Sequence, residues 1–489
     1  MAPSSGAGKL AEACSRRKRA LPVVVPDPVG RQTPGMKTRS HFSAGSIRRH
    51  GSRWTLLGLV ALLGNTLVPV KAVVGEPLSA AERVECRTLA VRCRELLARS
   101  VIEFYLPACV DTNQGGYFEV LRDGRFAPGP EKFLTLQSRQ VWFFSTLAAE
   151  GIQRERALAA AQHGYDFLQR AFLDRTNGGY FSKVSPEGRP ADTRKHAYLN
   201  SFALYGLAAY HRASGDAAAL KAAQELFRTL DARMHDATNG GYHEFFHADW
   251  RPVTDSVEAG YVGAIGTKTY NTHLHLMESL AELHRQWPDP AVRGRLAELL
   301  VINTSTVRNA EFHCNVDGWQ PDWRVVNTPR NLRTSYGHDV ECAWLALDAA
   351  ATLGQSPALL RSWAEDLCAT SLRFGYDAGH GGFFQSGPLG RPADDTRKEW
   401  WMQAEALVGL LEMFQLTGDR QYFAKFRQTL DFVARYQVAQ EGGWWATRRA
   451  DGSPDANLSR TSQWQGAYHN GRALLRCARL LEAGAGRGN

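Results

Sequence analysis

Asp174-Arg175-Thr176-Asn177-Gly178-Gly179-Tyr180 is one copy of a turn that recurs along this chain of 489 residues. Two glycines and an aromatic residue return at Gly115-Gly116-Tyr117, Gly178-Gly179-Tyr180, Gly240-Gly241-Tyr242, Gly381-Gly382-Phe383 and Gly442-Gly443-Trp444, and we interpret Asp317-Gly318-Trp319 as a weaker copy. The first glycines lie 63, 62, 78, 63 and 61 residues apart. Four copies carry an aspartate four residues before the first glycine: Asp111, Asp174, Asp236 and Asp377. A repeat of this length indicates units that bury their apolar faces only against their neighbours.

Each turn except the last is followed by two segments of helical periodicity. The predicted helices are 134–150 and 157–172, 196–213 and 217–234, 271–285 and 291–303, 337–353 and 357–374, 401–417 and 420–436, and 468–483 alone. A further helix, 80–105, precedes the first turn, and we expect it to pack as the missing outer partner of the last helix. The sequence therefore predicts an all-α fold, an (α/α)6 barrel of six helical hairpins in a ring, with short β-hairpins at one rim.

Basic residues are concentrated at the start of the chain. Residues 1–72 hold 12 Lys and Arg but only 2 acidic residues, whereas the remainder holds 46 basic and 47 acidic residues. The remainder therefore offers no overall charge for nucleic acid, and we expect no nucleic-acid partner. We divide the chain into a disordered leader at 1–35, a secretory signal or anchor at 36–72 and a barrel domain at 77–485.

The segment 36–72 has the pattern of a secretory signal. A basic stretch is followed by an apolar run from Trp54 to Val70, which is short for a membrane span. We expect export to the periplasm or the exterior, a cytoplasmic location if the segment is not used, and no stable membrane insertion of the mature domain. Met36 would be a better first residue for a signal, so it stays open whether residues 1–35 belong to the natural protein.

The seven cysteines of the barrel domain do not form a metal or redox motif. None is in a Cys-x-x-Cys pair, and most occupy apolar helical positions. We interpret them as small buried hydrophobic residues, with one disulfide possible if the protein is exported.

The first helix of several predicted hairpins opens with polar and aromatic residues, which are costly to bury unless they are bonded or functional. Spacings of three and four place pairs of them on one helical face. These pairs are His338 with Glu341, Asn271 with His275, and Trp401 with Glu405. His469 opens the last helix, so three histidines come from equivalent places in three repeats. We interpret His273, His196 and His284 as structural, and His313 and His380 as turn residues.

Histidine is a general acid or base near neutral pH. Two imidazoles on opposite sides of a substrate carbon could remove a proton from one face and return it to the other, which is epimerisation and needs no cofactor. Three histidines can also hold zinc, but the usual short spacings are missing, so we predict no metal. Tryptophan faces, carboxylates and an asparagine suit a sugar as the substrate.

These clusters resemble the N-acylglucosamine 2-epimerase superfamily, and within it the cellobiose (or mannobiose) 2-epimerase branch. The resemblance spans about residues 80–485. It is carried by Ser335-Tyr-Gly-His338-Asp-Val-Glu341, Trp400-Trp401-x-Gln-Ala-Glu405 and Tyr468-His469-Asn. It implies an (α/α)6 barrel and an isomerase without a cofactor, which inverts C2 of the reducing-end residue of a β-1,4-linked disaccharide through a cis-enediolate.

The resemblance also implies roles for single residues. His338 and His469 are similar to the acid–base pair at C2, and His275 to a third histidine that assists ring opening or polarises the carbonyl oxygen. Arg139 is similar to an arginine that stabilises the enediolate oxygen. Further matches to positions that bind hydroxyls, orient the histidines or line the site are Tyr198, Asn271, Glu341, Glu405, Trp344, Trp401 and Trp464. Arg139 as a buried ion-pair partner and Trp344 as core remain alternatives.

Other functions remain open at the level of sequence. The nearest is a monosaccharide aldose–ketose isomerase of the mannose–fructose type on the same fold. A glycoside hydrolase would need a carboxylate pair across a cleft, for which Glu341 and Glu405 are the candidates. A carbohydrate-binding protein without turnover would not require three histidines. The choice of sugar also stays open, because the chain has a signal-like segment and has Gly466-Ala467 in place of the Cys-Pro common in the branch. The sequence does not distinguish a monomer from a homodimer.

Overall fold

The computed structural model describes residues 78–254 and 261–486. The predicted leader (1–35) and signal or anchor (36–72) lie outside these residues. The main helices of the described chain are α1 (Ala80–Leu97), α2 (Leu134–Ala149), α3 (Arg154–Phe167), α4 (Ala197–Ser214), α5 (Ala217–Met234), α6 (Tyr270–Gln286), α7 (Pro290–Val301), α8 (Tyr336–Thr352), α9 (Arg361–Gly375), α10 (Trp400–Thr417), α11 (Arg420–Phe432) and α12 (Tyr468–Gly486).

Short helical turns extend some of the outer helices. The odd-numbered helices α1, α3, α7 and α11 continue into π-helical turns at Ala98–Ile102, Leu168–Phe172, Ile302–Thr306 and Val433–Gln437. After the first of these turns, Glu103–Tyr105 returns to α-helix, and a 3₁₀ turn at Pro357–Leu360 precedes α9. The predicted segment 357–374 therefore begins as a 3₁₀ turn rather than as an α-helix.

The even-numbered helices form the inner ring of a barrel. Each packs against the next one along the chain, and α12 packs against α2, which closes the ring. The odd-numbered helices lie outside, and α1 packs along α12. Both the predicted (α/α)6 barrel and the predicted place of the N-terminal helix are confirmed.

Strands of two or three residues border one rim, at the N-terminal ends of the inner helices. They are Val120–Arg122, Arg125–Ala127, Lys132–Phe133, Lys183–Val184, Pro190–Asp192, Lys195–His196, Phe245–Phe246, Lys268–Thr269, Arg308–Asn309, Cys314–Asn315, Gly318–Trp319, Arg333–Ser335, Ser386–Pro388, Lys398–Glu399 and Thr447–Arg448. The strand that leads into an inner helix pairs antiparallel with a strand of the following repeat, as Lys132–Phe133 does with Lys183–Val184. The rim strands therefore join neighbouring repeats.

In the four glycine turns that carry an aspartate, this residue holds the backbone that follows it. Asp174 Oδ1 accepts hydrogen bonds from the N–H groups two and three residues later, both at 3.0 Å. The two glycines then have φ angles of 75° and 72°, in the left-handed region that glycine adopts without steric cost. Tyr180 pairs back with Leu173 as a single antiparallel bridge. The recurring sequence is thus a turn that reverses the chain before each inner helix.

A buried lysine from the strand before the inner helix pairs with each of these four aspartates. Lys195 Nζ lies 2.7 Å from Asp174 Oδ2, and the lysine side chain is 0% exposed. The other pairs are Lys132 with Asp111, Lys268 with Asp236 and Lys398 with Asp377. These ion pairs attach the turn of one hairpin to the start of its own inner helix, and the sequence analysis did not identify them.

The fourth turn is not at Asp317-Gly318-Trp319, so the predicted position is wrong. The chain reverses between Arg308–Asn309 and Cys314–Asn315, which pair antiparallel. Asn309 Oδ1 accepts from the N–H groups of residues 311 and 312, as the aspartates do elsewhere, and His313 has φ 52° at the place of the first glycine. Thr334 stands where the other repeats have lysine. Both charges of the ion pair are absent together in this repeat.

One polar residue of each of five inner helices binds the backbone of the preceding turn. Asn200 Oδ1, for example, accepts from the N–H of Tyr180 at 2.9 Å. The equivalent residues are Gln137, His273, Asp339 and Gln403. His273 therefore has the structural role that was predicted, while His313 and His380 lie in turns as expected.

All seven cysteines of the barrel domain are buried free thiols, in agreement with their interpretation as small apolar residues. They are Cys86, Cys93, Cys109, Cys314, Cys342, Cys368 and Cys477. Among the residues that the structure describes, no helix combines the length and the apolar character needed to cross a membrane.

Candidate active site

A cavity of about 350 Å³ lies at the rim, where the first turns of the inner helices converge. All six inner helices contribute to its wall, through Arg139, Tyr198, Asn271, His275, His338, Glu341, Trp401 and His469. Trp464 and the loop before α12 complete it. The N-terminal end of a helix carries a partial positive charge, so this convergence favours negative charge that develops inside the cavity.

His469 is positioned by a buried carboxylate. Its Nδ1 lies 2.7 Å from Glu405 Oε1. The same oxygen accepts from Arg472 Nη2 at 2.8 Å, and Glu405 Oε2 accepts from Trp344 Nε1 at 3.1 Å. Burial raises the pKa of Glu405, whereas the charge of Arg472 and its hydrogen bond lower it, and in the ionised form both oxygens of Glu405 accept hydrogen bonds. His469 Nδ1 then carries the hydrogen and Nε2 is left as the basic nitrogen.

His275 is held in a similar way by Glu278, three residues later on the same helix. His275 Nδ1 lies 2.9 Å from Glu278 Oε2. Tyr468 Oη donates to the same carboxylate at 2.6 Å, and Arg472 Nη1 also donates to it. Burial alone would raise the pKa of Glu278, but the Arg472 charge and the hydrogen bonds of His275 and Tyr468 lower it to about 2. Glu278 is therefore an anion at neutral pH.

His338 has no hydrogen-bond partner for its imidazole among the described residues. Its ring packs against Trp401 at a centroid distance of 4.5 Å, and the same indole lies 5.9 Å from the ring of His469. Burial and the neighbouring His275 lower the pKa of His338 to about 3. Burial, together with Arg139 and Arg472, also lowers the pKa of His469 well below its usual value. Both imidazoles are therefore neutral bases at pH 7.

Arg139 brings a fixed positive charge to the cavity. Its Nη1 donates to the Trp464 carbonyl oxygen at 2.8 Å and its Nη2 to Tyr198 Oη at 2.9 Å. The guanidinium lies over the rings of Phe202 and Tyr468, 4.1 Å and 4.8 Å from their centroids. No carboxylate pairs with it in the described chain, so the alternative of a buried ion pair is not supported. Its charge is free to act on a substrate anion.

Glu341 and Asn271 offer polar atoms to a bound molecule. Glu341 Oε1 accepts from Arg472 at 3.0 Å, whereas Glu341 Oε2 and Asn271 Oδ1 have no partner among the described residues. Burial and the nearby Glu405 raise the pKa of Glu341 well above its usual range. A neutral Glu341 could donate a hydrogen bond to a sugar hydroxyl, and Asn271 could accept one.

Glu341, Glu405 and His469 are close enough to share a metal ion, because one ligand atom of each lies within 4.8 Å of the others. The Arg472 guanidinium, however, already donates to both carboxylates. A divalent cation would have to enter beside that positive charge. The donor set therefore suits an arginine-centred network better than a metal site.

The structure brings the three predicted histidines into one cavity, together with six of the eight other predicted site residues. Trp344 and Glu405 lie behind the wall, where they are 2% and 0% exposed. Glu405 holds His469, and Trp344 packs between the guanidinium groups of Arg472 and Arg476, each 4.7 Å from its ring. For Trp344 the alternative of a core residue fits the structure better than a place in the lining.

Sequence reasoning assigned no role to Glu278, Tyr468 or Arg472, which support the histidines from behind. Glu278 follows His275 by three residues, the same spacing that identified other pairs, so a signal was present. Arg472 follows Tyr468 by four residues and lies on the same helical face. Which carboxylates it would meet depends on the closure of the ring, and spacing along the chain does not show that.

Comparison with known proteins gives consistent relationships. The family model for N-acylglucosamine 2-epimerase (GlcNAc 2-epimerase) matches residues 115–472. The chain is 30% identical over 390 residues to a cellobiose 2-epimerase of Bacteroides fragilis, and the match covers 78% of this chain and 96% of that protein. It is 31% identical over 389 residues to a cellobiose 2-epimerase of Ruminococcus albus, with the same coverage.

Among solved structures, the cellobiose 2-epimerase of Spirochaeta thermophila is similar, with a TM-score of 0.74 at 30% identity. The similarity covers 83% of this chain and 99% of that one. The fold, the convergence of the histidines and these relationships agree, and the chain belongs to the N-acylglucosamine 2-epimerase family.

Proposed function

We propose that this protein is a sugar 2-epimerase that inverts C2 of the reducing-end residue of a β-1,4-linked disaccharide such as cellobiose or mannobiose. The observation that carries the proposal is the meeting of His275, His338 and His469, from three different inner helices, with Arg139 around one cavity. The cellobiose 2-epimerases to which the chain is similar support the choice of substrate.

The proposed reaction starts with opening of the sugar ring, so that the carbonyl group at C1 acidifies the proton at C2. One of His338 and His469 removes this proton as a neutral base, and a cis-enediolate forms. Arg139, with its free positive charge, and His275 stabilise the developing negative charge on oxygen. The enediolate charge in turn raises the pKa of the nearby imidazoles, which helps one of them to act as an acid.

Inversion requires that a proton is delivered to the opposite face. The second histidine, which has taken up a proton from solvent, protonates C2 from the other side, and the first histidine releases to solvent the proton that it removed from C2. If a proton returns to C1 instead, the product is a ketose, so we expect some aldose–ketose isomerisation beside epimerisation. The indole of Trp401 lies against both imidazoles, at centroid distances of 4.5 and 5.9 Å, which supports their action on one substrate carbon.

The structure gives less support to a glycoside hydrolase. Its candidate carboxylates, Glu341 and Glu405, are bound to the same Arg472 nitrogen at 3.0 and 2.8 Å, and Glu405 lies behind His469 rather than on the wall. A hydrolase needs two carboxyl groups that flank the scissile bond. A binding protein without turnover would have no use for two neutral imidazoles that are each accessible from the cavity.

The test is to incubate His338→Ala and His469→Ala with cellobiose in deuterated water and to follow epimer formation and deuterium at C2 by NMR. Each variant should lose roughly 100- to 10,000-fold in epimerisation. A variant that keeps the base of one face should still exchange the C2 proton without forming the epimer. His243→Ala is the matched control, because that side chain is 46% exposed and outside the cavity. Unchanged epimerisation by either cavity variant would overturn the role of that histidine.

We also propose that the protein is exported through the segment 36–72 and acts as a monomer or a homodimer. The basic stretch and the apolar run of that segment support export. Fractionation of cells that express the full chain, with sequencing of the mature N-terminus, tests the first statement. Light scattering of the purified protein tests the second.

A further inference from the structure

A second and larger hollow lies beside the active-site cavity. It has a volume of about 640 Å³ and is lined by Phe133, Lys183, Trp445, Leu458 and Arg460, among others. Small-molecule sites in proteins span about 300–1,000 Å³, so both hollows are of ligand size. We call this second hollow the rim groove. None of the proposed chemical steps uses it.

The rim groove is continuous with the active-site cavity. Ser459 and Ser462 line both. On one side the partition between them is a pair of aromatic rings, Phe133 of the groove and Trp464 of the cavity, at a centroid distance of 4.8 Å. On the other side it is the loop in which Asn457 faces the cavity and Leu458 faces the groove. A molecule that leaves the cavity past Trp464 therefore enters the groove.

The direction of the proposed substrate leads into this groove. The reducing end must lie against the histidines at the first turns of the inner helices. We place the rest of the saccharide toward Ser459 and Ser462, because these residues line both the cavity and the groove. A disaccharide would end near the mouth, whereas a longer chain would continue into the groove.

The lining of the groove combines apolar surface with polar groups, as a pyranose requires. Leu458 is 51% exposed there, and Trp445 is half-buried with guanidinium groups of Arg448 and Arg460 at 5.0 and 5.4 Å from its ring. Lys183 Nζ pairs with Glu131 Oε2 at 2.9 Å, and both side chains remain partly exposed. The opposite charges compensate one another, which favours neutral hydroxyl groups over a charged ligand.

We infer that the rim groove binds the third sugar residue of a β-1,4-linked oligosaccharide whose reducing end occupies the active site, and that the enzyme prefers such chains over disaccharides. This inference rests on the proposed epimerase function. It adds a substrate preference that is set by the rim groove, which is separated by at least one sugar residue from the reacting C2 carbon.

The experiment compares kcat/KM for cellobiose and cellotriose, and for the matching mannose di- and trisaccharide, in the full-length enzyme. We expect the trisaccharide to be at least about 5-fold better than the disaccharide. Trp445→Ala and Leu458→Ala should bring this ratio close to one and change the disaccharide value by less than about 2-fold. Leu458 is exposed, so its replacement should not impair folding, and thermal unfolding verifies this for both variants.

Leu359→Ala is the matched control, because Leu359 is 64% exposed and lies in the 3₁₀ turn before α9, away from the groove. It should leave both substrates unaffected. Binding of cellobiitol and cellotriitol, which have no carbonyl group and cannot be epimerised, is measured in parallel by calorimetry. We expect tighter binding of the reduced trisaccharide, with a loss of that difference in Leu458→Ala.

The outcomes separate the two proposals. If the disaccharide is epimerised but the trisaccharide is no better as substrate or ligand, the groove inference is overturned and the epimerase function stands. If neither sugar is epimerised but the reduced trisaccharide binds more tightly through Leu458 and Trp445, the epimerase function fails, and only the binding of the third sugar residue in the groove stands. Groove variants that weaken both substrates equally would also overturn the inference.

Discussion

Arg472 is the residue on which the geometry of the candidate site depends. Its two terminal nitrogens donate to Glu278, which holds His275, and to Glu405, which holds His469, and they also reach Glu341. A planar guanidinium with five donors can serve three carboxylates at once, whereas a lysine ammonium cannot match these directions. Two imidazoles from different helices are thus aligned by one side chain that lies behind the cavity wall.

We predict that Arg472→Lys keeps the charge but loses the alignment. The loss in kcat/KM should be about 100-fold, with the acid side of its pH profile unchanged, because a buried positive charge still opposes protonation of His469. The wild-type profile should stay level from pH 8 to about pH 5, because the pKa of His338 is lowered to about 3 and kcat/KM reports the free enzyme.

Arg472→Met removes the charge as well. Burial remains the largest cause of the lowered pKa of His469, but one of the two arginines that lower it further is gone, so this pKa rises toward its usual value. The neutral base is then lost at a higher pH, and the acid limb of kcat/KM should move toward neutrality. This variant also leaves buried carboxylates unpaired, which costs about 3–5 kcal/mol of stability. Identical acid limbs in Arg472→Met and Arg472→Lys would contradict the effect of the Arg472 charge on His469, and an unchanged kcat/KM in Arg472→Lys would contradict the positioning role.

At the scale of the helix, four of the six inner helices carry two kinds of polar residue two positions apart. Gln137, His273, Asp339 and Gln403 bind the preceding turn, and the residues two positions later, Arg139, His275, Glu341 and Glu405, belong to the catalytic network. Two residues correspond to 200° around a helix, so the members of each pair point in different directions. One face serves the rim and the other serves the site.

The glycine turns supply a prediction at the same scale. Asp174→Asn or Lys195→Thr alone should lower the free energy of unfolding by about 3–5 kcal/mol, because each leaves a buried charge without its partner. Asp174→Asn combined with Lys195→Thr should cost clearly less than the sum of the singles, by about 1–3 kcal/mol, because the fourth repeat uses Asn309 and Thr334 at these positions. Denaturant unfolding of all variants measures this coupling, and additive losses would contradict it.

The helices could be predicted from the sequence more completely than the contacts of the candidate site, for physical reasons. The glycine turns and the helical periodicity are local, so every predicted helix is found to within a few residues, apart from the 3₁₀ start before α9. The fourth turn was misplaced because Asn309 and His313 reproduce the turn without its glycines. His275, His338 and His469 could be chosen by equivalence between repeats. The partners of Arg472 could not, because Glu278, Glu341 and Glu405 come from three other helices and meet it only when the ring closes.

At the scale of the whole barrel, closure depends on helices from the two ends of the described chain. Helix α1 packs along α12, and Arg94 binds Glu482 with two hydrogen bonds of 2.7 and 2.6 Å. A Cβ atom on Gly484 would lie 3.8 Å from Leu78 Cδ1. The first and last helices of the described chain are therefore neighbours. We expect that the chain could begin and end at another connection of the ring without a change in helix packing.

We predict that a circular permutant folds and works. Residue 486 is joined to residue 78 by a short Gly-Ser linker, and the chain is opened between Gly215 and Asp216. Gly215 lies in the turn after α4, has φ 74° and open space around it, and is at the end of the barrel opposite the cavity. Connections of this kind tolerate new termini. The permutant should keep at least about half of the kcat/KM of linear 78–486, which is the parent for comparison.

A second permutant, opened between residues 176 and 177, is the contrasting case. There the new ends would separate the N–H groups that Asp174 holds and would release its ion pair with Lys195, so we expect it to unfold at a temperature about 10 °C lower or not to fold. Circular dichroism and epimerase activity measure both. If the permutant opened at Gly215 fails to fold while linear 78–486 folds, the ring is not closed by α1 on α12 in the way that the structure shows.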